Sequence, residues 1–248
     1  MTIIMRHIEY GACVPWHVLQ TEPPNWVDFF ELEAAGAFNA DKMPTRMLRA
    51  AKVLRRAIPD HISIFEDDNA LDAYFTQTSL YFSKMHADTI VIGSGPARMV
   101  PPGMRSGAVA DRWRVFLSAC RDAWAPLRLL IEPLDRSETN FINSLREVEP
   151  WLGLVDGVVM DVLHVGNDPD LREFARDYPR AIAHVHVAGL GRRAPIEEDW
   201  MKIEAFLARV FSCGAQPRIS LELPWRRLEP SLEASVDRLR DGLSGALP

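Results

Sequence analysis

Leu129-Leu130-Ile131-Glu132-Pro133 is an apolar run of strand length that ends in a carboxylate and then a proline. Proline donates no hydrogen bond to a sheet ladder, so the strand stops there and Glu132 is left at its rim. Ile219-Ser220-Leu221-Glu222-Leu223-Pro224 repeats the arrangement near the other end of the chain. Between them, Val158-Val159-Met160-Asp161 ends a third run in an acid, and Ala183-His184-Val185-His186 ends a fourth in an imidazole. Ionisable groups that recur at strand ends call for a fold that gathers many strand ends in one place.

Working outward, β-branched apolar runs alternate with longer stretches of helical period. The expected strands are His7–Cys13, Val27–Leu32, His61–Phe65, Thr89–Ile92, Leu127–Glu132, Val155–Asp161, Ile182–Val187 and Arg218–Glu222. Helical stripes are read in Met47, Ala51, Leu54 and Ile58, in Trp200, Ile203, Phe206, Leu207 and Val210, and in Leu232, Val236, Leu239 and Leu243. A first helix after Trp16 is expected to be short or irregular, because Pro23-Pro24 leaves it little room. Parallel strands need a crossover helix between them, so eight alternations without a linker predict a (β/α)8 TIM barrel, with residues 1–248 as a single domain. An open doubly wound sheet is the alternative, but it would use one crevice rather than many strand ends.

The 248 residues are 48% hydrophobic and 25% charged, as expected of a globular protein with one large core. A formal net charge of -6 provides no basic field for a polyanion, so no nucleic-acid partner is expected. Short basic pairs such as Arg55-Arg56 and Arg226-Arg227 read as solvated helix faces or loop ends. Cys13, Cys120 and Cys213 are too far apart for a CxxC site and are expected to be reduced. With neither a leader-like start nor a membrane-length apolar run, the expected location is cytoplasmic. Trp113, Trp151 and Trp225 suit packing as well as a homodimer contact.

Glu132, Asp161, His186 and Glu222 form an O,O,O,N set suited to one divalent metal ion, Mn2+, Mg2+ or Co2+, with Zn2+ also fitting. Such an ion would polarise a carbonyl and steady the enediolate left when a neighbouring carbon loses its proton. Singly, each acid reads more readily as an ordinary loop carboxylate; the shared position on four strand ends favours a site. Asp161 and His164 stand three apart and face one mouth only if the strand ends near Asp161 and the chain turns. His184 reads as a buried histidine one layer below the ion, and Glu31 as either a polar wall or a surface acid.

These residues resemble the xylose isomerase-like superfamily of sugar isomerases and epimerases, the D-tagatose 3-epimerase and hydroxypyruvate isomerase type. The resemblance runs from about Thr89 to Pro224. It is carried by Ile92-Gly93-Ser94-Gly95-Pro96-Ala97-Arg98, by Ile131 to Asn140, by Asp161 with His164, by His184-Val185-His186 with Arg192, and by Glu222. It implies a metal on the same four residues, Glu132 and Glu222 as acid and base, and Glu138, His164 and Arg192 as contacts to the oxygens of a small sugar or hydroxy-ketone. The chain departs from the family pattern at Asp135, at Val162 and at Ala194-Pro195-Ile196, and the stretch Phe65–Leu71 looks short for a covering loop. DNA-repair endonucleases of the same barrel use a zinc cluster with additional histidines, whereas His61, at the start of its expected strand, should lie at the far end.

The reading that follows is a metal-dependent isomerase or epimerase working through a cis-enediolate. The rivals are an inosose dehydratase-like lyase on the same site, and a barrel that binds a metal or polyol without turnover.

Overall fold

The computed structural model describes residues 8–14, 26–34, 45–223 and 230–244. Eight strands close into one parallel barrel in chain order: β1 (Tyr10–Val14), β2 (Phe29–Glu33), β3 (Ala51–Arg55), β4 (Thr89–Ile92), β5 (Arg128–Ile131), β6 (Gly157–Asp161), β7 (Ile182–Val187) and β8 (Arg218–Leu221). Around it run α1 (Thr45–Ala50), α2 (Asp68–Phe82), α3 (Ser106–Trp124), α4 (Leu145–Val148), α5 (Val162–Val165), α6 (Leu171–Asp177), α7 (Glu197–Ser212) and α8 (Pro230–Ser244). Among the described residues no helix is long and apolar enough to cross a membrane.

Seven of the eight expected strands lie where the pattern puts them, within a few residues at their ends. The exception is the third. His61–Phe65 is not in the barrel, and Ala51–Arg55, read from sequence as the middle of a helix, is β3. Met47, Ala51, Leu54 and Ile58 do recur at helical spacing, but Ala51, Val53 and Leu54 are also buried as a strand, and so short an apolar run does not distinguish the two periods. Register decides: Glu31 pairs with Val53 and Leu32 with Leu54, which fills the gap between β2 and β4. Ile62 and Ile64 alternate because they are buried beneath the loop after β4, where Ile64 N–H donates to Ala97 O at 2.9 Å. The connection from β3 to α2 therefore spans residues 56–67; of the stretch Phe65–Leu71 read as a short covering loop, only residues 65–67 belong to it, and residues 68–71 form the first turn of α2.

The stripes over α7 and α8 hold, with Trp200, Ile203, Phe206, Leu207 and Val210 buried on one helix and Leu232, Val236 and Leu239 on the other. Trp113 and Trp151 are core residues rather than a dimer surface; Trp113 stacks on Phe116 with ring centroids 5.1 Å apart. Trp225, Arg226-Arg227 and the expected first helix lie outside the described residues.

Alternation divides the barrel interior into layers. Phe29, Val53, Val91, Leu130 and Val159 pack together as a dry plug with no polar atom among their side chains. Two residues further along the same strands come Glu31, Arg55, Gly93, Glu132 and Asp161, joined on β7 and β8 by His186 and Glu222. The upper layer is polar because six of the eight strands place an ionisable side chain there, at or just past their ends. Gly11 leaves room for the plug, since a Cβ there would lie 2.5 Å from the Phe29 ring.

Phe29→Ala empties the centre of this plug and is expected to cost about 3–5 kcal/mol of unfolding free energy. Denaturant titration measures it, and a loss below about 1 kcal/mol would contradict the packing described.

Candidate metal centre and active site

Each rim residue is placed by a local device. Asp161 ends β6 and caps α5, its Oδ1 accepting the Leu163 N–H at 2.6 Å. That turn brings His164 back to the mouth, with Nε2 3.7 Å from Asp161 Oδ2, as the three-residue spacing requires. Glu132 leans over β4, where a Cβ at Gly93 would overlap its carboxylate. Gly95 likewise leaves room for the backbone of Glu138, which a Cβ would meet at 2.9 Å. The Gly93-Ser94-Gly95 segment is thus a seat for two acids, tied to the loop after β3 by Ile58 N–H donating to Ser94 Oγ at 2.8 Å. Asp135 folds the loop carrying Glu138, its Oδ1 accepting from Ser137 N–H at 2.8 Å and its own N–H donating to His164 Nδ1 at 3.1 Å.

Glu132, Asp161, His186 and Glu222 are all buried, and each presents one ligand-type atom within 4.8 Å of the others. His186 Nδ1 faces Glu132 Oε1 at 2.9 Å and Glu222 Oε2 at 3.7 Å, while its Nε2 faces Glu31 at 3.0 Å. Glu138, His164 and Arg192 gather at the same mouth. Arg192 donates to Asp161 Oδ2 at 3.2 Å and to Glu222, and its Nη2 lies 3.6 Å from Glu138. All seven residues singled out in the sequence converge here.

Two participants were missed. Glu31, read as a wall or a surface acid, is fully buried and accepts from both His184 and His186. Burial opposes its charge, but the two imidazoles hold its carboxyl well below the usual range. Arg55, read as a solvated arginine, is mostly buried at the end of β3 and donates to Glu222 Oε1. Phe29-Phe30-Glu31 and Val53-Leu54-Arg55 both carry the signal, a charge two residues after an inward apolar side chain. In the second, the helical reading of Ala51–Arg55 hid it. His184 sits one layer down, with Nε2 2.9 Å from Glu31 and 3.1 Å from Ser220 Oγ, as expected. His61 corrects a further expectation: it stands exposed in the 56–67 loop at the mouth end of the barrel, in neither group of ligand-type residues.

The electrostatics are those of a site short of positive charge. Burial, together with Glu222, pushes the Asp161 carboxyl up to about 7. Burial would also raise Glu132, but His186 overrides it and holds that carboxyl down to about 2. Burial disfavours a charged His186, yet Glu31, Glu132 and Glu222 raise it well above an ordinary histidine. A divalent ion on the four inward atoms would relieve the crowding, and Glu31 would then fix the His186 ring from behind, as outer carboxylates do for ligating histidines. Cys13 also approaches Glu31 and His186 as a second group of ligand-type atoms, where burial and then Glu31 push its thiol well up.

Above the cluster opens a cavity of about 550 Å³ bordered by Arg55, Glu132, Glu138, Arg192 and Glu222, with Arg56 and Asp60 from the 56–67 loop. That volume suits a small metabolite.

The family profile described as xylose isomerase-like TIM barrel matches residues 66–242, and the chain belongs to that family. Among solved structures, a 3-keto-D-glucoside 4-epimerase from E. coli superposes with a TM-score of 0.64 at 16% identity, covering 96% of this chain and all of that one. An AP endonuclease, family 2, from Brucella melitensis gives 0.69 at 16% identity over 94% of this chain and 99% of that one. A D-allulose 3-epimerase from Methylomonas sp. in complex with D-allulose gives 0.65 at 14%, covering 96% and 93%. At these identities the likeness shows the fold. No curated protein matches the chain.

In the metal-free protein, Asp161 takes up its proton far above its unfolded value of 3.8, so stability falls as pH rises toward about 7. The raised His186 adds stability that is complete below 6.5 and is lost as pH climbs through its folded value. Chelator-treated protein is therefore expected to melt lower at about pH 8 than at about pH 5, and Asp161→Asn to flatten the lower part of that slope. Calorimetric scans across pH check this; a melting temperature that rises toward pH 8 would contradict it.

Proposed function

We propose that the protein is a divalent-metal-dependent isomerase or epimerase of a small sugar or hydroxy-ketone, moving a proton between adjacent substrate carbons through an enediolate. The observation that carries this reading is the convergence of four buried ligand-type atoms from β5, β6, β7 and β8 at the floor of a polar cavity. The printed names of the E. coli and Methylomonas structures, both sugar epimerases, support the substrate class.

When bound, a Mn2+, Mg2+ or Co2+ ion supplies the Lewis acid that draws charge off the substrate oxygens. The chain's own groups do the rest. Glu132 and Glu222 reach the cavity from the ends of two strands that are not neighbours, β5 and β8, so one can take a proton from a carbon while the other returns one. Arg55 holds Glu222 Oε1 and so sets the direction of its other oxygen. Glu138, His164 and Arg192 offer one acceptor, one imidazole and one forked donor to the substrate hydroxyls. The 56–67 loop and the turn after β5 border the cavity through Arg56, Asp60, Ser137 and Glu138.

Glu132→Gln and Glu222→Gln keep size and shape but remove the proton-carrying group, and each is expected to lower turnover by about 10²–10⁴-fold with the circular dichroism unchanged. The assay is a panel of ketoses and hydroxy-ketones with Mn2+, Co2+ or Mg2+, followed by solvent-deuterium uptake into product of unchanged mass. Full activity in both variants would sink the reading, and a product lighter by one water would move it to a lyase.

A further inference from the structure

Three of the four candidate ligands commit one polar atom to a fixed neighbour. Asp161 Oδ1 accepts from Leu163 at 2.6 Å, Glu222 Oε1 from Arg55, and His186 Nε2 faces Glu31 at 3.0 Å. The atoms left facing one another are Asp161 Oδ2, Glu222 Oε2, His186 Nδ1 and Glu132 Oε1. On two of these, Asp161 Oδ2 and Glu222 Oε2, sits a single nitrogen, Arg192 Nη1.

Resting on the metal reading above, we propose that Arg192 is an internal stand-in cation: its guanidinium closes the ligand cluster in the metal-free protein, and a divalent ion must displace it to bind. Metal loading then frees the fork to face the cavity, so the residue that reaches for substrate is released only when the ion is in place.

The surroundings of Arg192 fit a removable group. Its Nη2 lies 2.9 Å from His164 Nε2, but His164 Nδ1 already accepts the Asp135 N–H. A neutral imidazole with Nδ1 accepting carries its proton on Nε2, so two donors meet there and that side of the seat holds the guanidinium poorly. Its backbone, by contrast, is pinned. Gly191 and Arg192 take φ of 72° and 59°, the turn is closed by Gly189 N–H donating to Arg193 O at 2.9 Å, and Asp199 accepts from Ile196 N–H at 3.0 Å and from Arg193. Displacement is thus a side-chain rotation. There is room for it, because Arg192 borders the cavity and Glu138 lies 3.6 Å from its Nη2 as the next acceptor.

The test is Mn2+ binding to chelator-stripped protein, followed by calorimetry, with wild type compared with Arg192→Gln. A guanidinium that holds the cluster most of the time weakens apparent metal affinity by the fraction of sites it leaves open, so Arg192→Gln is expected to bind Mn2+ about tenfold tighter or more. Stripped Arg192→Gln is also expected to melt below stripped wild type, with the gap narrowing once Mn2+ is added. Equal or weaker Mn2+ binding by the variant while wild type binds one ion overturns the inference and leaves the metal reading intact. Absence of binding in both proteins overturns both. Should stripped Arg192→Gln fail to fold, Arg192→Met keeps much of the side chain's length but removes the charge; binding several-fold tighter than wild type supports the inference, and unchanged binding overturns it.

Discussion

Four carboxylates, Glu31, Glu132, Asp161 and Glu222, are held out of water at one end of a closed barrel, and the arrangement around them answers that constraint. Ions stripped of solvent are tolerated only when paired and hydrogen-bonded. His184 and His186 satisfy Glu31 from one side, Arg55 and Arg192 reach Glu222 from the other, and the α5 N-terminus takes half of Asp161. What is left over, a proton driven onto Asp161 near neutral pH and a raised His186, is the unmet demand for positive charge. A divalent ion would meet that demand with the donor types present. Arg98 shows the same economy reversed: its guanidinium is fully buried without a hydrogen-bond partner among the described residues, and burial lowers it to about 10 against the opposing pull of Glu132 and Glu138.

The barrel makes such crowding affordable by separating duties by height. The apolar plug of Phe29, Val53, Val91, Leu130 and Val159 fixes the strands, and the residues two positions on inherit their aim. At the opposite end, Arg218 ties Glu9 and Asp88 together, with Nε 2.6 Å from Glu9 and Nη1 2.6 Å from Asp88, so charge there fastens β8 to the residues that lead into β1 and β4 rather than lining a cavity. Loops on the mouth side then shape what the floor can receive. The 56–67 segment contributes Arg56 and Asp60, and the turn after β5 contributes Glu138.

Much of this was legible from order alone. Glu132 before Pro133 and Glu222 two before Pro224 declare strand ends without any tertiary information, and the Asp161 to His164 spacing forces a turn that the α5 cap supplies. Glu31 was hidden because an acid after two phenylalanines reads the same whether the next layer is solvent or a pair of histidines from β7. Arg55 was hidden by a misread period: a five-residue strand leaning on a six-residue helix gives apolar spacings common to both. The loop length, the position of His61 and the roles of Trp113 and Trp151 all turned on placing β3 or on contacts between distant segments, which local pattern does not contain.

The central claim is that the four inward atoms hold one metal ion. It is tested most directly by elemental analysis of wild type, Glu132→Ala and His186→Ala after loading with Mn2+ and removal of free ion. About one equivalent in wild type, lost in both variants, is the result expected of a four-ligand site. Retention of the ion in both variants, or none in wild type, would contradict the account.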